Sequence, residues 1–367
     1  MSGARPGWLA IRAFVSDDDA VTPDLKFARS ADGVSIGWTN IGAGPSLVYL
    51  PGVPFSNLEA EWRIPVLRRA FEGLALHLRF VQYDGRGTGR SQRDVSDLSL
   101  AAMLRDLDAV VDAAGLDRFA LLGFYNSVTH AISYAARHPE RVTHLVLFGG
   151  SARGWDPMSG NATQALLSLI DRDWDTFVES VTHAWLGWPD DEEGRLAADW
   201  FRTATTPAVA RATLQAASGI DVTRELPDVQ CPALVLHRRG ATVVPLEMSN
   251  ELAAELPNGE LRLIEGRSAS LFFEDTDAVV AEIIGFVTGR APKAGARRAT
   301  PAGRSRLSPR EREVLRLVAA GDSNGEIAAR LGLSTNTVER HVTNVYRKID
   351  ARGRADATAY AIHHGIA

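Results

Sequence analysis

The stretch at 307–360, LSPREREVLRLVAAGDSNGEIAARLGLSTNTVERHVTNVYRKIDARGRADATAY, holds two short helical patterns and then a longer basic one. That is the order a helix-turn-helix needs to read DNA. Ser308, Pro309 and Glu311 form a capping box with proline at the first helical position, and Gly321 closes that helix. Ser323 and Glu326 repeat the box before Ile327, Ala328 and Leu331, and Gly332 supplies the left-handed residue that ends the second helix. After a two-residue turn, Ser334 caps a third helix with an apolar stripe of Val338, Val342, Val345 and Ile349. Thr335, Asn336, Glu339, Arg340, Thr343, Asn344, Arg347 and Lys348 are left on a polar, cationic outer face long enough to lie in a major groove.

This segment resembles the DNA-binding domain of the LuxR family of transcription regulators. The likeness is carried by Pro309-Arg310-Glu311, by Glu326-Ile327-Ala328, and by Thr337, Val338, His341 and Asn344. The resemblance implies that the third helix is the recognition helix. Glu339, Arg340 and Thr343 would then face base edges, with Thr337, Asn344, Arg347 and Lys348 on phosphates, which set register without reading sequence. Other members often carry lysine where Glu339 stands. A carboxylate accepts from cytosine N4 and repels phosphate, so an operator particular to this protein is expected. A small-residue face around Ala355 to Ile362 resembles the family's dimerisation helix, which implies a homodimer on two half-sites of double-stranded DNA. RNA polymerase is a further partner consistent with such a regulator.

The formal net charge of −5 hides an asymmetry, because residues 290–367 carry 15 Lys and Arg against 7 Asp and Glu, leaving about −13 on the rest. Only the tail attracts nucleic acid. No apolar run approaches eighteen residues, and the first residues lack a basic stretch followed by an apolar one, so neither a membrane partner nor a leader is expected. One cysteine, Cys231, cannot form an internal disulfide, which fits the cytoplasm. Gly, Ala, Pro and basic residues replace all periodicity at 289–306, which reads as a linker.

Ahead of the linker, continuous Val and Leu runs at 46–52, 78–87, 119–127, 142–150, 233–240 and 261–266 alternate with helical stretches. Such runs predict a mostly parallel, doubly wound α/β sheet covered on both faces. Residues 27–40 alternate around Asp32-Gly33 and predict an antiparallel hairpin ahead of it. Residues 1–23 show no pattern and are read as an extension.

Residues 24–288 resemble the α/β-hydrolase fold. The landmarks are Pro51-Gly52-Val53-Pro54, the run Asp84-Gly85-Arg86-Gly87-Thr88-Gly89-Arg90-Ser91, and the strand-to-helix turn Gly123-Phe124-Tyr125-Asn126-Ser127. The resemblance implies a helical cap at about 151–227, where Trp155, Trp174, Trp185, Trp188 and Trp200 lie. Large rings over a cleft suit an apolar or aromatic ligand, although a single tryptophan more often pins helices to a core.

Each place where that family carries its catalytic triad is altered here. Tyr125 stands for the nucleophile of the elbow, Ala241 for the acid four residues before Val244-Pro245, and Ala269 for the base in the run after the last strand. A phenol with a pKa near 10 is a poor nucleophile without a base. Ser127 lies two residues past the elbow, and His130, His144 and His237 read as structural or exposed rather than catalytic. The family's oxyanion N–H groups map to Val53 and Asn126. The expectation is a pocket without catalytic residues, lined by Val53, Phe55, Tyr125, Asn126, Trp155, Trp185 and Ala269, which binds a small carbonyl-bearing or aromatic effector and needs no cofactor or metal. A DNA-tethered hydrolase, and a ligand-independent regulator using the large domain to dimerise, are the alternatives.

Overall fold

The computed structural model describes residues 23–154, 166–182, 192–241, 244–268, 270–290 and 309–349, with 351, 354, 357 and 361. The chain divides into two compact units, Met1–Lys293 and Ala294–Ala367.

In the large unit, β1 (Lys26–Arg29) and β2 (Ser35–Ile41) form the expected antiparallel hairpin. Its turn closes through Gly33, at φ 86°, whose N–H donates to the Ser30 carbonyl at 2.8 Å. β3 (Ser46–Tyr49), β4 (Arg79–Tyr83), β5 (Phe119–Phe124), β6 (Val142–Phe148), β7 (Ala233–Arg238) and β8 (Gly259–Ile264) follow. The eight-stranded sheet runs β1-β2-β4-β3-β5-β6-β7-β8, with β2 antiparallel to β4 and the strands from β4 to β8 parallel.

Strand residues alternate between two buried layers. Leu47, Tyr49, Phe80 and Leu122 face a core with α2 (Pro65–Ala75) and α9 (Thr276–Thr288). Val48, Val81 and Leu121 face α3 (Leu100–Ala113), α4 (Ser127–Arg137) and α8 (Leu246–Glu255). This is the doubly wound arrangement, and its physical cause is the period of two along each strand. α2 shows how one helix is specified. Pro65 opens it with φ already helical, and Leu67, Ala70, Phe71 and Leu74 share one buried face.

Between β6 and β7 lie the cap helices α5 (Trp174–Val181), α6 (Glu192–Ala204) and α7 (Pro207–Ser218) and a 3-10 turn at Thr223–Asp228. Trp200 stacks on Phe201 at 5.0 Å and Trp174 on Phe177 at 5.3 Å, each pair within one helix, and both tryptophans pack with the large unit's core. The loop that follows β4 holds the end of α6. Gly89 N–H and Arg93 Nη1 both donate to the Ala204 carbonyl, at 2.7 and 2.6 Å, and Thr205 Oγ1 donates to the Gly87 carbonyl at 3.1 Å.

The small unit contains α10 (Pro309–Ala319), α11 (Asn324–Leu331) and α12 (Thr335–Ile349). The Ser323 to Glu326 capping box forms in both directions, and Gly332 ends α11 at φ 63°. Ser308, expected to cap α10, lies outside the described residues. Ser334 Oγ accepts the Thr337 N–H at 3.2 Å and so caps α12. Val314, Leu315, Val318, Ile327, Val338, Val342 and Val345 form a core of their own. Ala357 and Ala361, on the small-residue face that resembles a dimerisation surface, are fully buried in that core. The rest of that stretch lies outside the described residues.

No helix among the described residues is long and apolar enough to cross a membrane.

Candidate functional site

The elbow is built where β5 meets α4. Tyr125 sits at φ 50°, in the left-handed region that few side chains other than Asn and Asp enter readily. Its N–H donates to the Phe148 carbonyl at 3.0 Å, and its carbonyl accepts the Val128 N–H at 3.1 Å. The sharp turn requires helix and strand to lie close together. A Cβ on Gly123 would stand 2.8 Å from the Ser127 carbonyl oxygen and 2.9 Å from the Ala131 Cβ, so only glycine fits there. The Tyr125 ring packs edge-on against Phe124 and Phe148, with centroids 6.4 and 6.2 Å away. Burial pushes its phenol pKa well above the ordinary value, with the Arg238 charge opposing. The hydroxyl therefore keeps its proton at neutral pH.

Ser127 is fully buried and bonded into the elbow, its Oγ accepting the Phe124 N–H and donating to the Phe124 carbonyl, both at 2.9 Å. Asn126 Nδ2 donates to the Val53 carbonyl at 3.2 Å, so the two segments expected to carry the oxyanion N–H groups lie side by side. Phe55 is buried against Phe201 of α6 with centroids 4.3 Å apart, and its ring serves packing between loop and cap. Ala241 closes a turn after β7 by donating its N–H to the Arg238 carbonyl at 3.0 Å. Trp155, Trp185, Trp188 and Ala269 lie outside the described residues.

Burial pushes the pKa of His130 down to about 4 and lowers those of His144 and His237; His130 and His237 are buried and His144 is half-buried. His237 Nδ1 is 3.0 Å from Ser249 Oγ, and the His144 ring meets Phe286 edge-on. Cys231 is buried, with its thiol pushed up to about 11.

Two features escaped the sequence reading. The first is Arg238, which is 1% exposed at the end of β7. Its guanidinium donates to the carbonyls of Glu265, Leu271 and Glu274 at 2.6, 2.9 and 2.7 Å and so grips the loop that contains Ala269. The only available signal was a pair of arginines directly after an apolar strand. The second is a pair of buried carboxyls. Burial and the neighbouring Asp84 push Glu61 up to about 8, while burial raises Asp84 to about 6 against the Arg90 and Leu58 N–H groups it accepts. Glu61 lies on α1 (Leu58–Arg63), where it accepts the Asn57 N–H at 3.1 Å. In sequence it reads as an ordinary surface residue of a first turn.

In the small unit Thr335, Glu339, Arg340 and Thr343 are exposed, and Thr337 and Asn344 are half-buried. Thr337 Oγ1 is 2.8 Å from Ser334 Oγ, so it contributes to the helix cap. The side chains of Asn336, Arg347 and Lys348 lie outside the described residues. The exposed set includes all three residues expected to read bases.

Comparison with known proteins agrees with this division. Residues 305–361 match the family model described as bacterial regulatory proteins, luxR family, and residues 45–188 match the α/β hydrolase fold. A "Putative carbamate hydrolase RutD" of Caulobacter sp. is 30% identical over 230 residues, covering 60% of this chain and 84% of that protein. An "N-formylmaleamate deformylase" of Pseudomonas putida is 27% identical over 253 residues, 65% of this chain and 87% of that one. Among solved structures, an esterase from Rhodococcus sp. aligns with TM-score 0.63 at 22% identity, over 72% of this chain and 98% of that one. An enol-lactonase from Burkholderia xenovorans aligns with TM-score 0.60 at 18% identity, over 72% and 100%. Likeness at that level of identity speaks for the fold alone. The chain belongs to the α/β-hydrolase-fold family through its large unit, and its small unit is a luxR-family DNA-binding domain.

Proposed function

We propose that this chain is a cytoplasmic transcription regulator that senses a small apolar or aromatic, carbonyl-bearing molecule in a hydrolase-like cleft that does not cleave it. Occupancy then alters how a homodimer binds its operator. The chemistry at the elbow carries this reading. Tyr125 holds its proton, the Ser127 hydroxyl is bonded back to Phe124, and the acid position is Ala241. Acyl transfer needs a nucleophile with a base in reach, oriented by a third group, and the described residues offer none of the three at the places where this fold supplies them. Backbone N–H groups at Val53 and Asn126 remain suited to holding a carbonyl oxygen. The names of the two relatives, a carbamate hydrolase and a deformylase, support a carbonyl-bearing class.

A sensor must couple two sites. Operator affinity, measured with and without whatever small molecule co-purifies with the full chain, is expected to change by about 5-fold or more. Identical isotherms would remove the sensing claim. The kinship with hydrolases favours one rival, a DNA-tethered enzyme. It requires turnover of p-nitrophenyl esters that disappears in Tyr125→Phe or Ser127→Ala.

A further inference from the structure

We infer that the effector carries a carboxylate, received at the C-terminal edge of the sheet by the buried guanidinium of Arg238. This deepens the sensing reading and rests on it.

Arg238 is a buried charge whose ion-pair partner among the described residues, Glu274, is distant and partly in solvent. Its hydrogen-bond acceptors among the described residues are four backbone carbonyls, of Glu265, Ser270, Leu271 and Glu274, which satisfy donors but neutralise nothing. The nearest carboxylate, Glu274, stands 3.8 Å from Nη1, is 43% exposed, and spends its Oε2 on the N–H groups of Arg267 and Ser268. Among the described residues the Nε–H of Arg238 has no acceptor at all. Burying a cation is costly unless a partner ion and full hydrogen bonding offset it, and an orphaned donor adds to that cost. A ligand carboxylate would supply the missing acceptor and a closer countercharge than Glu274.

The location favours a ligand over a purely structural role. In parallel α/β sheets ligands bind beyond the carboxyl ends of the strands, and Arg238 ends β7. The Arg238 charge lies near enough to the Tyr125 phenol to oppose the rise of its pKa. A Cβ on Gly266, at φ 110°, would fall 2.8 Å from Nη1, so the loop is shaped to admit this side chain. Where a hydrolase uses this end of the sheet for an acid and a base, this chain presents a fixed positive charge.

The test uses the full chain and matched acid and amide probes: benzoate with benzamide, phenylacetate with phenylacetamide, octanoate with octanamide. Binding is read by quenching of tryptophan fluorescence. In at least one pair the acid is expected to bind about 10-fold more tightly than its amide. Glu274→Gln keeps an acceptor for the loop N–H groups but removes the competing charge. It is expected to tighten acid binding about 3-fold and leave the amide unchanged. Arg238→Gln is expected to abolish the preference. Because that variant also strips donors from the loop, Glu274→Gln decides the matter if Arg238→Gln does not fold. Amides that match acids in every pair, acids that do not bind at all, or an acid affinity indifferent to Glu274→Gln would each overturn the proposal. If an acid binds without changing operator affinity, the anion site stands and the sensing reading falls. If amides bind equally well and change operator affinity, the reverse holds.

Discussion

At the scale of single residues, the buried carboxyl of Glu61 sets a pH dependence with a definite sign. Its pKa in the folded chain is about 8 against an ordinary 4.5, so the folded state holds a proton that the unfolded state releases. The large unit should therefore lose stability as pH rises from about 4.5 to about 8, with Asp84 adding to the loss between about 3.8 and about 6. Glu61→Gln, which still accepts the Asn57 N–H, is expected to flatten that slope and to be more stable than the parent at pH 8, on the order of 2 kcal/mol. Urea unfolding at pH 5 and pH 8 measures both. On the DNA side, Arg340→Ala should cost roughly 1–3 kcal/mol and relax preference at one base pair. Lys348→Ala should weaken all sequences about equally and lower the slope of affinity against salt by about one unit. Equal loss on specific and random DNA for Arg340→Ala would show that it does not read a base. The identity of Tyr125 was legible because its flanking sequence survives, whereas the role of Arg238 was not, because its acceptors lie 27 to 36 residues further along the chain.

At the scale of elements, the helices of the small unit were readable nearly to the residue. Their ends are written in local chemistry: Ser323 with Glu326, Gly332, and Ser334 all act within four residues of themselves. Ser323→Ala removes an acceptor for the Glu326 N–H and a hydroxyl donor to its carboxylate. It should cost the small unit about 1 kcal/mol, seen as a lower Tm in thermal unfolding of the full chain, while Asn324→Ala just inside the helix should cost less. The cap behaves differently. The end of α6 is held by Gly89, Arg93 and Asn57, from parts of the chain more than a hundred residues away, so the latch is a tertiary fact. Gly89 and Arg93 donate to the Ala204 carbonyl, an orphan of the helix C-terminus where a cation is doubly favoured, while Asn57 donates to the Thr203 hydroxyl. The same distance explains Phe55. Its sequence position beside the expected oxyanion loop suggested a ligand contact, and its packing on Phe201 is a matter of where α6 comes to rest.

At the scale of the whole molecule, two units with separate cores and opposite charge imply separable stabilities. Calorimetry of the full chain is expected to show two transitions, and a ligand of the large unit should raise only that unit's Tm, by about 1–3 °C per kcal/mol of binding energy gained. A single transition for every probe would show that the units unfold together. The charge asymmetry also predicts that high salt weakens operator binding far more than it destabilises either fold, since exposed charges are screened and apolar cores are not.

Everything carried by short-range pattern was legible in the chain before any tertiary contact. Period two and continuous apolar runs specify the sheet, period 3.6 with caps specifies the helices, and Tyr125, Ala241 and Ala269 stand inside familiar surroundings where a hydrolase of this fold would carry its triad. How groups distant in the chain share a buried space emerged with the fold. The cation at Arg238, the shared burial of Glu61 and Asp84, and the burial of Ala357 and Ala361 inside the small unit all belong here. The reason is physical: hydrogen-bonding ends and hydrophobic periodicity act over a few residues, whereas desolvation and countercharge are set by whatever the fold brings near, at any separation along the chain.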